Sequence, residues 1–143
     1  MAVEISELRR QIRGARELAK KNAAARRARA DEASRDYATF LLAVAVPAVK
    51  QFASALAAEG QIFHVATPAE SVRLASTSFA DDYIELLLDT SQDPPEAIAR
   101  VNRGRGRRVL TSERPIRERT AVRDLTEEDV HAFLLQEITP FLS

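Results

Sequence analysis

The sequence predicts an α+β fold, because helical and strand-like patterns occupy separate parts of the chain. Over the first 59 residues strong helix formers dominate, and apolar residues recur every three or four positions in residues 5–19 and again in residues 34–59, as in amphipathic helices. Residues 62–112 alternate apolar and polar positions in short runs, and a last helical pattern follows residue 126. Since strands that follow one another favour antiparallel pairing, we expect two N-terminal helices, an antiparallel sheet of four or five short strands, and a C-terminal helix packed on it.

The first helix is predicted from residue 4 to about residue 32, where strong helix formers dominate and Gly14 is the only internal weak point. A straight helix of this length extends about 43 Å, whereas a compact domain of this size has a radius of gyration of about 14–15 Å. Part of the helix should therefore overhang. We assign residues 1–33 to an extended, basic, amphipathic appendage and residues 34–143 to a single α+β domain.

One narrow apolar seam runs along this helix, at spacings of three and four residues. Its members are Ile5, Leu8, Ile12, Ala15 and Ala19. The repeat fails after Ala19, which is too soon for a confident coiled coil. The bulky members Ile5, Leu8 and Ile12 are the predicted protein-interaction residues.

A basic stripe lies directly beside the seam, within about 60° of the helical wheel. It consists of Arg9, Arg13, Arg16, Lys20 and Arg27. Such a row of cations can follow a phosphate backbone with little sequence preference. The alternative is internal neutralisation, because the segment 81–96 carries six acidic residues and no basic one.

The second helix is predicted from Ser34 to Glu59, with Gly60 as its C-terminal stop. Pro47 lies inside it and removes the hydrogen bond to the Ala43 carbonyl, so we expect a kink or a break there. No turn signal separates the two helices, and a continuous helix is equally consistent with the sequence.

Five strand patterns follow, four of them defined by alternating apolar residues. The alternating sets are Phe63 and Val65; Val72 and Leu74; Ile84, Leu86 and Leu88; Ala97, Ala99 and Val101. Residues 102–108 contain two glycines and predict a hairpin, with a loop longer than the minimal one, leading to a partner strand at 108–112. This loop supplies a second set of candidate polyanion-binding residues: Arg103, Arg105, Arg107 and Arg108.

The last helix has a clear start signal. Thr126 can cap it, and Thr126 with Asp129 resembles a capping box. Leu125 and Val130 complete a hydrophobic staple, and the apolar stripe that begins at Val130 should cover one face of the sheet.

Composition excludes several classes of function. The chain has no cysteine, which removes disulfides and thiolate chemistry and agrees with a cytoplasmic location. His64 and His131 lack metal-ligand spacing, and no phosphate-binding or nucleophile motif is present. Residues 1–5 lack a signal-peptide pattern, and the most apolar stretch is shorter than a bilayer requires. We expect no catalytic residue, cofactor, metal or membrane partner.

The leading hypothesis is a non-enzymatic interaction or adaptor protein, acting as a homo-oligomer or as a small subunit of a larger assembly through its N-terminal helix. The alternative is a protein that binds RNA or DNA through both arginine clusters. An enzyme whose site is invisible in the sequence is the third.

Overall fold

The structure is a computed structural model that describes residues 4–142. Residues 1–3 and 143 lie outside it. The ends of the predicted ranges 1–33 and 34–143, and part of the segment in which we expect no signal peptide, are therefore not described. The helices are α1 (Ile5–Phe40), α2 (Val46–Ala58) and α3 (Glu127–Ile138). The strands are β1 (Phe63–Ala66), β2 (Val72–Ser76), β3 (Tyr83–Asp89), β4 (Glu96–Arg105) and β5 (Arg108–Pro115). The predicted α+β fold is confirmed.

α1 and α2 form one continuous helix, joined by a π-helical turn over Leu41–Ala45. The turn ends two residues before Pro47. A proline has no N–H to donate, and its ring crowds the carbonyl of the residue four positions earlier. In the turn, the Val46 N–H donates to the Leu41 carbonyl, five residues back. This wider turn accommodates the proline, so the predicted break does not occur.

The five strands form an antiparallel meander in the order β1-β2-β3-β4-β5. Alternate residues of β2, β3 and β4 face the two helices α2 and α3, and together they make one core. Its largest fully buried side chains are Leu74, Leu86, Leu134, Val49, Val72 and Val130. The C-terminal helix lies beside α2 on this face, and His131 Nε2 is 3.1 Å from the Ala48 carbonyl.

The opposite face of the sheet carries a row of alternating charges. Arg73 pairs in register with Glu85, Glu85 with Arg100, and Arg100 with Glu113. The Glu85 carboxylate is 7% exposed and lies 3.1 Å from Arg73 Nη2 and 3.6 Å from Arg100 Nη1. The ion pairs and the aliphatic stems of the arginines keep this face polar without a covering layer.

The β4–β5 hairpin corrects one expectation. Register continues to the pair Arg105 and Arg108, so the connection is a two-residue turn rather than the longer loop predicted for 102–108. Gly106 has φ +60, which a two-residue hairpin turn accepts. Asn102 Nδ2 donates to the Asp81 carbonyl at 2.6 Å, which ties β4 to the turn before β3. β4 is ten residues long, longer than expected.

The start of α3 agrees with the sequence prediction. Thr126 Oγ1 accepts from the Asp129 N–H at 3.2 Å, and the Thr126 N–H donates to Asp129 Oδ2 at 3.0 Å, which completes the capping box. Leu125 and Val130 are both buried, as a staple requires.

Candidate interaction site on the projecting helix

The first part of α1 extends away from the rest of the protein. We call residues 4–29 the arm. Its side chains are exposed, apart from an intermediate Glu7, and the first buried residue of α1 is Ala33. The three predicted interaction residues are 77% (Ile5), 47% (Leu8) and 53% (Ile12) exposed. From Ile5 to Arg26 the helix extends about 30 Å without packing on the body.

The arm is fastened to the body at its C-terminal end. Arg29 donates from Nε and Nη2 to the two carboxylate oxygens of Asp93, both at 2.9 Å, and Arg26 lies 3.7 Å from the same carboxylate. The bidentate bond from Arg29 holds the pKa of Asp93 below its ordinary value. Further along, Ala33, Tyr37 and Phe40 enter the core. The arm therefore leaves the body at the β3–β4 loop.

Most of the predicted basic stripe has no acidic partner. Among residues 4–142 only Lys20 of the stripe meets a carboxylate, that of Glu17, at 3.7 Å. Outside the stripe, Arg10 pairs with Glu7. Of the acidic segment 81–96, only Asp93 reaches α1, and it takes Arg26 and Arg29. Arg9, Arg13, Arg16 and Arg27 form no ion pair within the described part of the chain.

The arm and the body carry opposite net charges. Residues 4–29 contain nine basic and three acidic residues, a net charge of +6. The rest of the chain contains twelve basic and eighteen acidic residues, a net charge of −6. The overall charge of zero therefore conceals a strongly dipolar molecule.

The second arginine cluster lies on the β4–β5 hairpin. The last residue of β4 that pairs with β3 is Asn102, so the hairpin projects beyond β3. Arg103 stacks over the Phe141 ring at 5.7 Å. Arg105, Arg107 and Arg108 have no ion-pair partner among residues 4–142. The cluster is thus a cationic tip, with only Arg103 held in place.

The two arginine clusters lie at opposite ends of the sheet. The arm is fastened at the loop before Glu96, where β4 begins, and the hairpin tip follows Arg105, where β4 ends. A strand of this length spans about 30 Å. The structure therefore does not join the two predicted polyanion-binding sets into one surface.

Two cavities border α1, and the sequence indicated neither. One, of about 520 Å³, lies at the base of the arm around Asp93 and Arg123. The other, of about 750 Å³, is a groove between α1, the β1–β2 loop and the end of β3. We call the second one the groove. Its lining contains Tyr37, Leu42, Glu70 and Glu85 but no lysine or arginine.

The groove has largely apolar walls and one acidic side chain without an ion-pair partner among the described residues, Glu70, since Glu85 is paired with two arginines. Leu42 is 75% exposed. Tyr37 donates its hydroxyl hydrogen bond to the Glu70 carbonyl at 2.8 Å, and burial raises the pKa of the Tyr37 phenol. Because the groove forms between three separate segments of the chain, with α1 26 residues or more from the other two, no local pattern could have predicted it.

The titratable groups suggest no catalytic arrangement. His64 is exposed on an edge strand, and His131 contacts a backbone carbonyl. Within residues 4–142, no group of three or more histidines and carboxylates converges in a way that could hold a metal ion. The expectations of no enzyme activity, no cofactor and no metal stay predictions.

One result bears on membranes. The continuous helix Ile5–Ala58 contains an 18-residue window that is apolar enough to cross a bilayer by length and composition, and 33% of that window is buried in the fold. Core helices of soluble proteins pass the same test. The expectation of no membrane partner also stays a prediction.

Comparison with known proteins gives no relative: no family model, no curated protein and no solved structure matches this chain.

Proposed function

We propose that this protein is a non-enzymatic interaction protein that works as a homo-oligomer or as a small subunit of a larger assembly, with the arm as its docking element. The observation that carries the proposal is the exposure of the seam at Ile5, Leu8 and Ile12 along a helix that nothing in the described chain covers. Bulky apolar side chains in a row on a projecting helix are typical of protein-docking surfaces.

The arm also has the mechanical properties that docking needs. It is continuous with a helix whose later turns are buried, so its nucleation cost is met by the body. The bidentate bond between Arg29 and Asp93 fixes its base. A helix held in this way loses little conformational freedom on binding, which favours affinity.

A photo-crosslinking amino acid in the source cell tests the proposal. Placed at Ile12 it lies in the seam, and placed at Glu17 it lies about 140° away on the same helix. We expect discrete protein adducts from Ile12 and few from Glu17, identified by mass spectrometry as this chain or another subunit. Equal or absent adducts at the two positions contradict the proposal.

The second candidate function is binding of a nucleic acid, preferably single-stranded RNA or DNA. It is favoured by the unpaired arginines of the stripe and of the hairpin tip, since guanidinium groups without carboxylate partners are available to phosphates. Because the base of the arm and the hairpin tip lie at opposite ends of β4, each cluster would contact a separate stretch of a strand.

Fluorescence anisotropy with a labelled 30-nucleotide RNA tests this second function. Binding should fall linearly on a log–log plot against salt, and replacing Arg105, Arg107 and Arg108 with Gln should reduce both affinity and slope. Replacing Arg35, Lys50 and Arg119 with Gln is the matched control, because these three exposed cations lie outside both clusters and form no ion pair among residues 4–142. A hairpin variant that behaves like the control removes the hairpin from the binding surface.

A further inference from the structure

We propose that the groove of a second copy of this chain receives the arm, so that two copies exchange arms reciprocally. This inference rests on the proposed function and names the partner and the surface that it contacts. The partner is a second copy because the charges of arm and body are complementary, at +6 and −6. The groove is the receiving surface because its lining is largely apolar, includes the Glu70 carboxylate, which is unpaired among the described residues, and contains no lysine or arginine.

Pairing of one arm with another arm does not fit the charges. Each arm carries nine basic residues and only three acidic ones, so two arms side by side bring like charges together. Contact between an arm and the acidic body of the other chain avoids this repulsion. In the groove, Glu70 has a free carboxylate for an arginine of the stripe, while apolar lining residues such as Leu41 and Leu87 can cover the seam.

An arm cannot occupy the groove of its own chain. The seam ends at Ala19 and the lining of the groove begins at Ser34 on the same continuous helix, about 22 Å further along the axis. Folding back would require breaking α1. The groove and the seam can therefore meet only between two chains.

The helical wheel is compatible with a reciprocal exchange. At about 100° per residue, Ser34, Tyr37 and Ala38 lie on the side of α1 that also carries the seam and the stripe. Two antiparallel copies of α1 related by a two-fold axis present the same side to each other. Each arm then lies along the groove of the other chain, which closes a symmetric dimer.

Light scattering on size-exclusion chromatography tests the exchange with three single variants at exposed positions. Ile12→Asp alters the seam, Leu42→Arg alters the groove, and Leu135→Arg alters α3, where the side chain is 64% exposed and outside both surfaces. We expect a wild-type dimer whose dissociation constant rises with salt. The first two variants should raise that constant at least tenfold, and Leu135→Arg should change it less than twofold.

Mixing the two defective variants sharpens the test. Chains with Leu42→Arg keep an intact arm, and chains with Ile12→Asp keep an intact groove. The equimolar mixture should therefore form heterodimers at concentrations at which each variant alone is monomeric. Circular dichroism and urea unfolding of each variant check that the fold is retained.

The outcomes separate this inference from the proposed function. A wild-type monomer at several hundred micromolar, or a dimer that Ile12→Asp dissociates and Leu42→Arg does not, overturns the groove as receiver and leaves docking by the arm standing. A dimer that Leu42→Arg dissociates and Ile12→Asp does not overturns both. Heterodimer formation in the mixture, with the control unchanged, supports both.

Discussion

The two parts of α1 share one helical period, but the apolar side of the first part is exposed and that of the second part is packed in the core. In the arm, the seam consists of three bulky residues and two alanines, and it stays exposed. From residue 33 onward the same side carries Ala33 and Tyr37, with Phe40 beside them, and all three are buried. Helical periodicity alone therefore does not place a helix in a core. Burial also depends on the size of the apolar side chains and on whether another part of the chain packs over them.

The largest expected contrast is between two large apolar residues of α1. Phe40→Ala removes a side chain that is 3% exposed and should lower the free energy of unfolding by about 3–5 kcal/mol. Leu18→Ala, in the arm and 59% exposed, should change it by less than about 0.5 kcal/mol. Urea denaturation at neutral pH measures both. Equal losses would mean that the arm is packed in solution.

The next largest change in unfolding free energy is expected at the N-cap of α3, and it should be confined to the body. Thr126→Ala removes the acceptor of the Asp129 N–H and should cost about 1 kcal/mol of unfolding free energy. Thr126→Ser keeps the acceptor and should stay near wild type. Because the cap is remote from the arm, amide exchange in residues 8–21 should not change in either variant. Altered exchange there would show that arm and body are coupled.

A smaller change in helix stability is expected at Gly14, and it should be confined to the arm. A Cβ at Gly14 would meet nothing within 4 Å, so Gly14→Ala should stabilise the arm helix by about 0.5–1 kcal/mol. We expect amide exchange near residue 14 to slow by a few-fold. Gly60→Ala is the contrasting variant, since φ +78 strains an alanine and should destabilise the body. Faster exchange at residue 14 would contradict a helical arm.

The smallest effect concerns the fastening at Asp93. Its pKa lies below the ordinary value because Arg29 donates to it, so the fastening contributes above that ordinary value, 3.8, and is lost as pH falls through the lowered pKa. Amide protection of residues 26–33 should fall in acid. Asp93→Asn should lower this protection and remove most of its pH dependence, whereas Asp31→Asn should leave both near wild type. A pH profile unchanged by Asp93→Asn would contradict the fastening.

Local signals sufficed for some features of the fold and not for others. The long helix, the strands and the cap of α3 were predictable because each depends on residues within a few positions, such as Thr126 and Asp129. The two-residue turn at Gly106 was missed because the glycines show where the chain can reverse but not how far the strands pair, which extends to Arg105 and Arg108. The sequence could not distinguish a free stripe from a neutralised one, since that depends on which acids of the body form ion pairs with α1. Among residues 4–142, Asp93 alone does so.

The groove shows the same limit for the candidate site. Leu42 reads as one more core residue of an apolar helix, and Glu70 as a loop residue. Their proximity arises only when the β1–β2 loop packs beside α1. Sequence reasoning therefore identified the exposed seam that we propose as the docking element, and it had no means of finding the groove that we propose as its receiver.

The central claim is that the arm is uncovered by its own chain and becomes covered by a second copy. Amide hydrogen exchange of residues 8–21 at two protein concentrations, about 1 and several hundred micromolar, tests it most directly. We expect rapid exchange in dilute protein and at least tenfold slower exchange in concentrated protein, with no slowing for Leu42→Arg. Exchange in the arm that is equally slow at both concentrations would contradict the claim, because the arm would then be protected within a single chain.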